Sequence, residues 1–534
     1  IDSIQIRWPN GSHTTKKTIP LNQKINIKQE EIKEQTEQNI ISNTWFKEQE
    51  NKITYSHKVK NILDFDRQKL LHFQPSFEGP PLIKGDLNQD GKEDIVIGGG
   101  KNQPIEVWLQ NREGSYSQKK SSDFIKSKNT IVSDLALSDL DSDGDLDLYV
   151  GNGGYHNLKN GSNSLIDQVY MNNGKGIFML SSKNTPLKEG TSVVAIKESN
   201  SDGNTSIFLG GSIIPGSYPK HYSNKLIICD SKGNLTVDNQ QSKTLNSIKG
   251  IVRDAIWTDL NQDGSHDLIV VGEWMPVTVF LDKNGVLEKQ TNYFLDSNTS
   301  EGWWNTISST DLNNDGKTDF IIGNEGINNP FNASSKQPIQ IHYDDFDDNG
   351  SVDPIISYYI QGKDYPLATR DELLAQLVQL KSVYPSYKSY AETDLEMLLS
   401  KIKTNKTKNW KASQLKSIVI LSSKNGYLVK QLPDIAQRSP LTAIHIFDIN
   451  ADGNQDLLLF GNRSKNALKL GSNDANYGTV LLGKGDGNFD LISPIETGLN
   501  IKGDVSDVIQ IETALYIAKS NKKLSVYKYN THEN

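Results

Sequence analysis

The stretch Asp139-Leu-Asp141-Ser-Asp143-Gly144-Asp145-Leu-Asp147 puts five carboxylates into nine residues and runs at once into the apolar Leu148-Tyr149-Val150. Charges that dense repel one another unless something positive sits among them. Side-chain oxygens at positions 1, 3 and 5, a glycine at 6 for the sharp turn, a backbone carbonyl at 7 and a carboxylate at 9 can converge on one hard cation. Ca²⁺ suits such a set, because it takes six to eight oxygen ligands in forgiving geometry, whereas Mg²⁺ demands a tighter octahedron.

A solvated acidic turn would explain one copy, but the pattern returns five more times. Asp86-x-Asn88-x-Asp90-Gly91-Lys92-x-Asp94 has it, and so do Asp259-x-Asn261-x-Asp263-Gly264-Ser265-x-Asp267 and Asp311-x-Asn313-x-Asp315-Gly316-Lys317-x-Asp319. Asp345-x-Asp347-x-Asn349-Gly350-Ser351-x-Asp353 and Asp448-x-Asn450-x-Asp452-Gly453-Asn454-x-Asp456 complete the set. The expected ligands are the side chains at positions 1, 3, 5 and 9, with the carbonyls of Lys92, Asp145, Ser265, Lys317, Ser351 and Asn454. An EF-hand would need a bidentate Glu at position 12 and a helix on each side. Position 12 here is Ile97, Val150, Val270, Ile322, Ile356 or Leu459, each inside an aliphatic run, so the loops join strands.

A seventh, decayed copy stands at Glu198-x-Asn200-x-Asp202-Gly203-x-x-Ser206, and its lost Asp ligands predict weak binding or none. One strand–loop–strand unit about every 50–60 residues predicts four-stranded blades repeated around an axis. The expected fold is all-β, a calcium-binding β-propeller of seven blades, with eight as the alternative. Two intervals break the rhythm. The step from 311 to 345 is too short for a full blade, so the Asp345 loop is expected in the outer half of its neighbour's blade, or else in an incomplete blade of its own. The step from 345 to 448 holds an insertion at about 366–412, where Thr369-x-x-Glu372 and Thr393-x-x-Glu396 read as capping boxes of two helices. The last strands, with no acidic loop, are expected to complete a blade with an N-terminal strand near Leu70–Phe77, which removes exposed edges.

Residues 1–28 read as a small β element, with Ile4, Ile6 and Trp8 alternating before the turn Pro9-Asn10-Gly11. Residues 29–59, rich in Glu, Gln, Lys and Asn, read as a linker, and 60–534 as the repeat domain. The formal charge of −8 would become about +4 with six Ca²⁺ bound, so the acidity reflects metal sites, and no basic block points to nucleic acid. No apolar run is long enough to span a bilayer. Cys229 is the only cysteine, so no internal disulfide forms. Loops of this type fill where calcium is plentiful, outside cells, and an extracellular chain without disulfides fits a bacterial surface. The chain opens at Ile1 without Met or a signal peptide, so an N-terminal part is expected to be missing.

The loops, the Gly turns and the terminal Phe of Val169-Tyr-Met-Asn172-Asn-Gly-Lys-Gly-Ile-Phe178 and Thr479-Val-Leu-Leu-Gly483-Lys-Gly-Asp-Gly-Asn-Phe489 resemble FG-GAP/VCBS repeats, the calcium-bearing blades also found in integrin α-chains. The segment Ile4-Gln-Ile-Arg-Trp8-Pro9-Asn10-Gly11, with Leu21 to Ile27, resembles the closing part of an ASPIC/UnbV domain. His72-Phe73-Gln-Pro-Ser76-Phe77-Glu78-Gly79, Gly272-Glu273-Trp274-Met275-Pro276, Gly302-Trp303-Trp304 and Leu432-Pro433 to Pro440 are similar to the second propeller of large VCBS-repeat proteins. Those proteins resemble animal cartilage acidic protein and are frequent in Bacteroidota. The resemblance implies a lipoprotein of the outer membrane's extracellular face. It also implies accessory association with SusC/SusD-type uptake proteins, with a glycan or peptide as ligand.

No Ser nucleophile elbow, Walker A or H-E-x-x-H motif occurs, and the nine His form no recognisable pair or triad. The expectation is a non-catalytic binding and scaffold module. An extracellular polymer-degrading hydrolase or lyase is the alternative, since paired carboxylates are plentiful. The Gly-rich turns after each second strand should emerge opposite the acidic loops, where Trp274, Trp303, Asn324, Glu325 and Arg463 either make a ligand surface or fill gaps between blades.

Overall fold

A computed structural model of the protein describes residues 3–8, 13–18, 20, 23–29, 44–59, 62–155, 158–183, 187–197, 203–297, 299–402 and 406–529. Two compact units form, Ile1–Thr44 and Trp45–Asn534. The first contains an antiparallel hairpin of Ser3–Arg7 and His13–Lys17. Trp8 closes it by donating its indole N–H to Thr14 Oγ1 at 2.7 Å.

The second unit is built from four-stranded antiparallel sheets, one of which gains a fifth, two-residue strand where Gly302–Trp303 pairs with Asp267–Met275. The first sheet runs Leu82–Gly85, Asp94–Ile97, Glu106–Gln110 and Tyr116–Lys119 in sequence order. Six further sheets start at Val132–Ser138, Thr191–Lys197, Ile251–Thr258, Thr306–Thr310, Leu441–Phe447 and Val505–Ile511. These first strands neighbour one another in cyclic order, the last beside the first. Apolar cores alternate with the sheets. Each is shared by two consecutive sheets, and one joins Ile509 and Tyr516 of the seventh to Leu82 and Ile95 of the first. A second strand covered on both faces explains the unbroken apolar runs after the acidic loops. Asp147–Asn152 and Asp456–Gly461 are buried along their whole length.

Ring closure differs from the sequence expectation. The fourth strand of the seventh sheet is Phe46–Gln49, paired with Ser525–Tyr529, and not a strand near Leu70–Phe77. Those later residues form a short 3₁₀ turn at Pro75–Phe77 and a single isolated bridge from Phe73 to Asn466. Residues 45–59 of the expected linker therefore belong to the second unit. Phe46 is buried against Leu515, Ile517 and Tyr527, so its burial outweighs the polar residues that made the stretch look like a linker.

The Asp345 loop also differs. It lies in a complete extra sheet of Lys363–Pro366, Asp353–Ile360, Ile339–Asp344 and Lys408–Ala412. This sheet is inserted between the second and third strands of the fifth, Asp319–Gly323 and Ile418–Ser423, which still pair directly. The region expected as two helices at 366–412 carries three short ones, Arg370–Gln376, Tyr387–Ala391 and Leu395–Leu399, and ends in a strand. The capping box at Thr369 and Glu372 forms. The one expected at Thr393 does not, because Asp394 caps the last helix instead. The inserted sheet packs Ile339, Ile341, Tyr343 and Ile356 into one core with Leu71, Phe73, Tyr218, Trp274 and Trp303.

Candidate metal centres and a central cavity

The six acidic loops share one backbone. Position 4 is left-handed in all of them, at Gln89, Ser142, Gln262, Asn314, Asp348 and Ala451, with φ between 56 and 62°. The glycine at position 6 is also at positive φ, which only glycine adopts without strain. That double twist turns the loop's amides inward. The Asp at position 1 accepts the N–H of position 5 and the glycine N–H, as Asp86 does from Asp90 at 3.1 Å and Gly91 at 2.8 Å. The same pair of bonds forms at Asp139, Asp259, Asp311, Asp345 and Asp448.

Position 9 ties the loop to its sheet. Asp94, Asp147, Asp267, Asp319, Asp353 and Asp456 are all buried. One oxygen of each accepts the N–H of position 2, and the other reaches the third strand, at Gln110, Asn172, Asp282, Ser422 and Gly483. In the inserted sheet Asp353 instead receives the Gln376 amide at 2.6 Å, from the helical segment. Position 2 is a buried Leu, Phe or Ile throughout, from Leu87 to Ile449. The sequence reading passed over this anchor, although its apolar identity was visible in all six copies.

Carboxylate oxygens of Asp139, Asp141 and Asp147 lie within 4.8 Å of one another, as do those of Asp345, Asp347 and Asp353. One oxygen each of Asp141, Asp145 and Asp347 is buried without a hydrogen-bond partner. In the other loops Asn88, Asn261, Asn313 and Asn450 turn their carbonyl oxygens onto the position-5 N–H, beside Asp90, Asp263, Asp315 and Asp452. Asn349 and Asp143 hold position 5 in the remaining two. Burial pushes Asp94, Asp353 and Asp456 up to about 6 and Asp147 to about 7, against the amide donors that lower them. The oxygen-only ligand sets, whose carboxylates converge in the Asp139 and Asp345 loops, fit a hard divalent cation. Such an ion would relieve the crowding of charge and draw the loop's carbonyls inward.

The decayed loop's Glu198, Asn200 and Asp202 lie outside the described residues. Its Ser206, opposite Lys197, brings no carboxylate. Lys197 instead pairs with Asp282 of the fourth sheet at 2.6 Å and lies over the Trp257 ring.

Five of the first strands carry a β-bulge, at Ser133, Ser192, Arg253, Thr442 and Ser506. The bulged hydroxyls donate across to the next first strand or the segment before it. Ser133 reaches Thr191 O at 2.6 Å, Ser192 Val252 O at 3.0 Å, Thr442 Val505 O at 2.6 Å and Ser506 Pro80 O at 2.8 Å. The acid after the bulge does the same in reverse. Asp134 accepts from Val194 N, Asp254 from Ile307 N and Thr306 Oγ1, and Asp507 from Leu82 N. Burial pushes Asp134 up to about 8 and Asp254 and Asp507 to about 6. The repeated Val-Ser-Asp and Val-Arg-Asp at 132–134, 252–254 and 505–507 was the missed signal.

Bulged side chains line a cavity of about 240 Å³, together with Phe73, Glu78 and Arg463. Arg253 pairs with Glu273 at 2.5 Å and Glu78 at 2.9 Å, and Arg463 with Glu325 at 2.5 Å. Both guanidinium groups lie over the Phe73 ring, at 5.8 and 5.0 Å. Burial alone would raise Glu273, but Arg253, Arg463 and His72 hold its carboxyl below the usual range. His72 stacks on Trp303, and burial drives it down to about 3, so it is neutral.

Trp274, Trp303 and Asn324 are at most 2% exposed, and Glu325 is buried as well, so these side chains fill the interior and do not form a surface. The neighbouring glycines serve close approach: a Cβ on Gly461 would stand 1.7 Å from Pro440 O. Of the five, Arg463 alone lines the cavity.

The chain matches the FG-GAP-like repeat at residues 86–150 and 259–322. No curated protein matches the sequence. Among solved structures it is similar to the V. cholerae biofilm matrix protein Bap1, at 12% identity over 92% of each chain and a TM-score of 0.37. An extracellular domain of the B. thetaiotaomicron one-component system BT4673 matches at 13% identity and a TM-score of 0.38, over 86% of this chain and 40% of that one. An Agrocybe aegerita lectin that recognises non-reducing terminal N-acetylglucosamine matches at 13% identity and 0.35, over 79% and 83%. This chain carries FG-GAP-like repeats in two places.

Proposed function

We propose that Trp45–Asn534 is a seven-bladed calcium-binding β-propeller acting as a non-catalytic binding and scaffold module on the extracellular face of a bacterial outer membrane. The observation that carries the reading is the sameness of the six loops, one backbone and one buried carboxylate at position 9 anchoring each, together with the converging carboxylates of the Asp139 and Asp345 loops. Six copies of one cation cage suit a rigid ring more than six chemistries. Arg253 and Arg463 at the cavity are held in ion pairs with Glu78, Glu273 and Glu325, which favours recognition over turnover. The N-terminal hairpin is read as the tail of an ASPIC/UnbV-like domain, and the partner as a SusC/SusD-type outer-membrane complex.

Affinity purification of the tagged protein from native membranes, in calcium and in EGTA, tests this. Calcium-dependent retention of an outer-membrane protein is the expected result. Turnover of a surface polymer that disappears when Glu78 and Asp504 become Gln and Asn would replace this reading with a hydrolase or lyase.

A further inference from the structure

The central cavity continues outward. Phe77, Lys465, Asp504 and Ser520 line both it and a second cavity of about 320 Å³, whose other walls include Tyr477, Lys502 and Lys522. The two form one groove with chemically distinct ends. At the outer end three exposed lysines face a single exposed acid, Asp474, and Lys465 lies 5.2 Å over the Phe77 ring. At the neck, Asp504 uses one carboxylate oxygen to accept from Ser464 N and Oγ, at 2.9 and 2.8 Å. Its other oxygen is buried with no hydrogen-bond partner. Ser520 Oγ beside it is also unpartnered, as is Ser212 Oγ at the inner end, and both serines are more than nine-tenths buried.

Twenty buried polar atoms lack a partner among the described residues, and four of them, on Asp504, Ser520, Ser212 and Asn305, gather along these two cavities, where a bound molecule can supply the missing bonds. We propose that this groove binds an acidic oligosaccharide, its hydroxyls meeting Asp504, Ser520 and Ser212 and its carboxylates meeting Lys502 and Lys522. An unpaired carboxylate oxygen at the neck needs a donor, which a sugar hydroxyl provides and an anionic group does not. Phe77 and Tyr477 offer apolar faces for the C–H side of a pyranose, and the lysines select against neutral chains. This rests on the reading of the chain as a binding module and names the class of its ligand.

The test is calorimetric titration of the calcium-loaded protein with tetragalacturonate and a hyaluronan hexasaccharide, against neutral galactotetraose and hexaglutamate. At least one acidic saccharide should bind, more weakly as salt rises. Binding should fall about tenfold or more in Lys502→Gln/Lys522→Gln, which removes two exposed ammonium groups and one exposed bond from Lys522 Nζ to Lys502 O, and in Asp504→Asn. Equal binding of galactotetraose or of hexaglutamate overturns the inference, as does unchanged affinity in the lysine variant. If neither acidic saccharide binds while the lysine variant still retains its outer-membrane partner, the inference fails and the binding-module reading stands.

Discussion

Asp134 reaches out of the second sheet to accept the backbone N–H of Val194 in the third at 2.7 Å, one residue after Ser133 has donated to Thr191 O. Bulged hydroxyl and following acid together make the first strands of the second and seventh sheets clasps on their neighbours. Because the clasp is a buried carboxylate, ring stability is tied to pH. Burial pushes Asp134 up to about 8, whereas an unfolded Asp sits near 4. Between those values the folded state holds a proton that the unfolded state has released, so this group's contribution favours folding at low pH and is lost as pH rises through that window. Melting temperature followed from pH 5 to pH 8 in saturating calcium should therefore fall more steeply for the wild type than for Asp134→Asn. Parallel profiles would show that Asp134 is ionised throughout.

Ala451 holds the left-handed position of its loop at φ 56° without the polar side chain that Asn314 or Asp348 brings to theirs. An L-residue pays roughly 1–2 kcal/mol there, part of which glycine returns as chain entropy. Ala451→Gly should stabilise by about 0.5–1 kcal/mol in denaturant titrations with calcium. A loss of stability would mean the strain is not where the backbone places it.

Phe46 anchors the strand that completes the seventh sheet. Phe46→Ala should cost about 3–5 kcal/mol, a large-to-small change in a packed core. Removing 45–50 altogether should bare the edge of Ser525–Tyr529 and promote aggregation, measurable by light scattering.

Gln376 spans the helical insertion and the extra sheet, donating to Asp353 and accepting from Lys69 N at 3.0 Å. Gln376→Ala leaves a buried carboxylate short of a donor, at about 1–3 kcal/mol. Calcium titration should then show one weakened site and five unchanged ones. Uniform weakening would mean that the loops are coupled.

The acidic loops were legible because their chemistry forces a fixed spacing, and the strands after them because a doubly covered strand must be apolar from Leu148 to Val150. The hairpin at Ser3–Arg7 was legible from alternation alone. What sequence hid was set by tertiary context. Phe46-Lys-Glu-Gln49 is three-quarters polar and becomes a strand only because Tyr529 and its neighbours offer an edge. The short step from Asp311 to Asp345 concealed a whole inserted sheet, because the fifth sheet's third strand arrives only at Ile418. The sequence left Trp274 and Trp303 as either recognition residues or packing between blades, and their burial in one core with Phe73 and the inserted sheet decides for packing. No local pattern announces a segment that folds back over the molecule's own face.

The central claim is that each of six loops holds one Ca²⁺. Elemental analysis of the protein after dialysis against calcium buffer, paired with melting in EGTA, tests it most directly. About six calcium ions per chain, with a marked drop in melting temperature on chelation, is the predicted result. Fewer than about four ions per chain, or a melting temperature indifferent to EGTA, would contradict it.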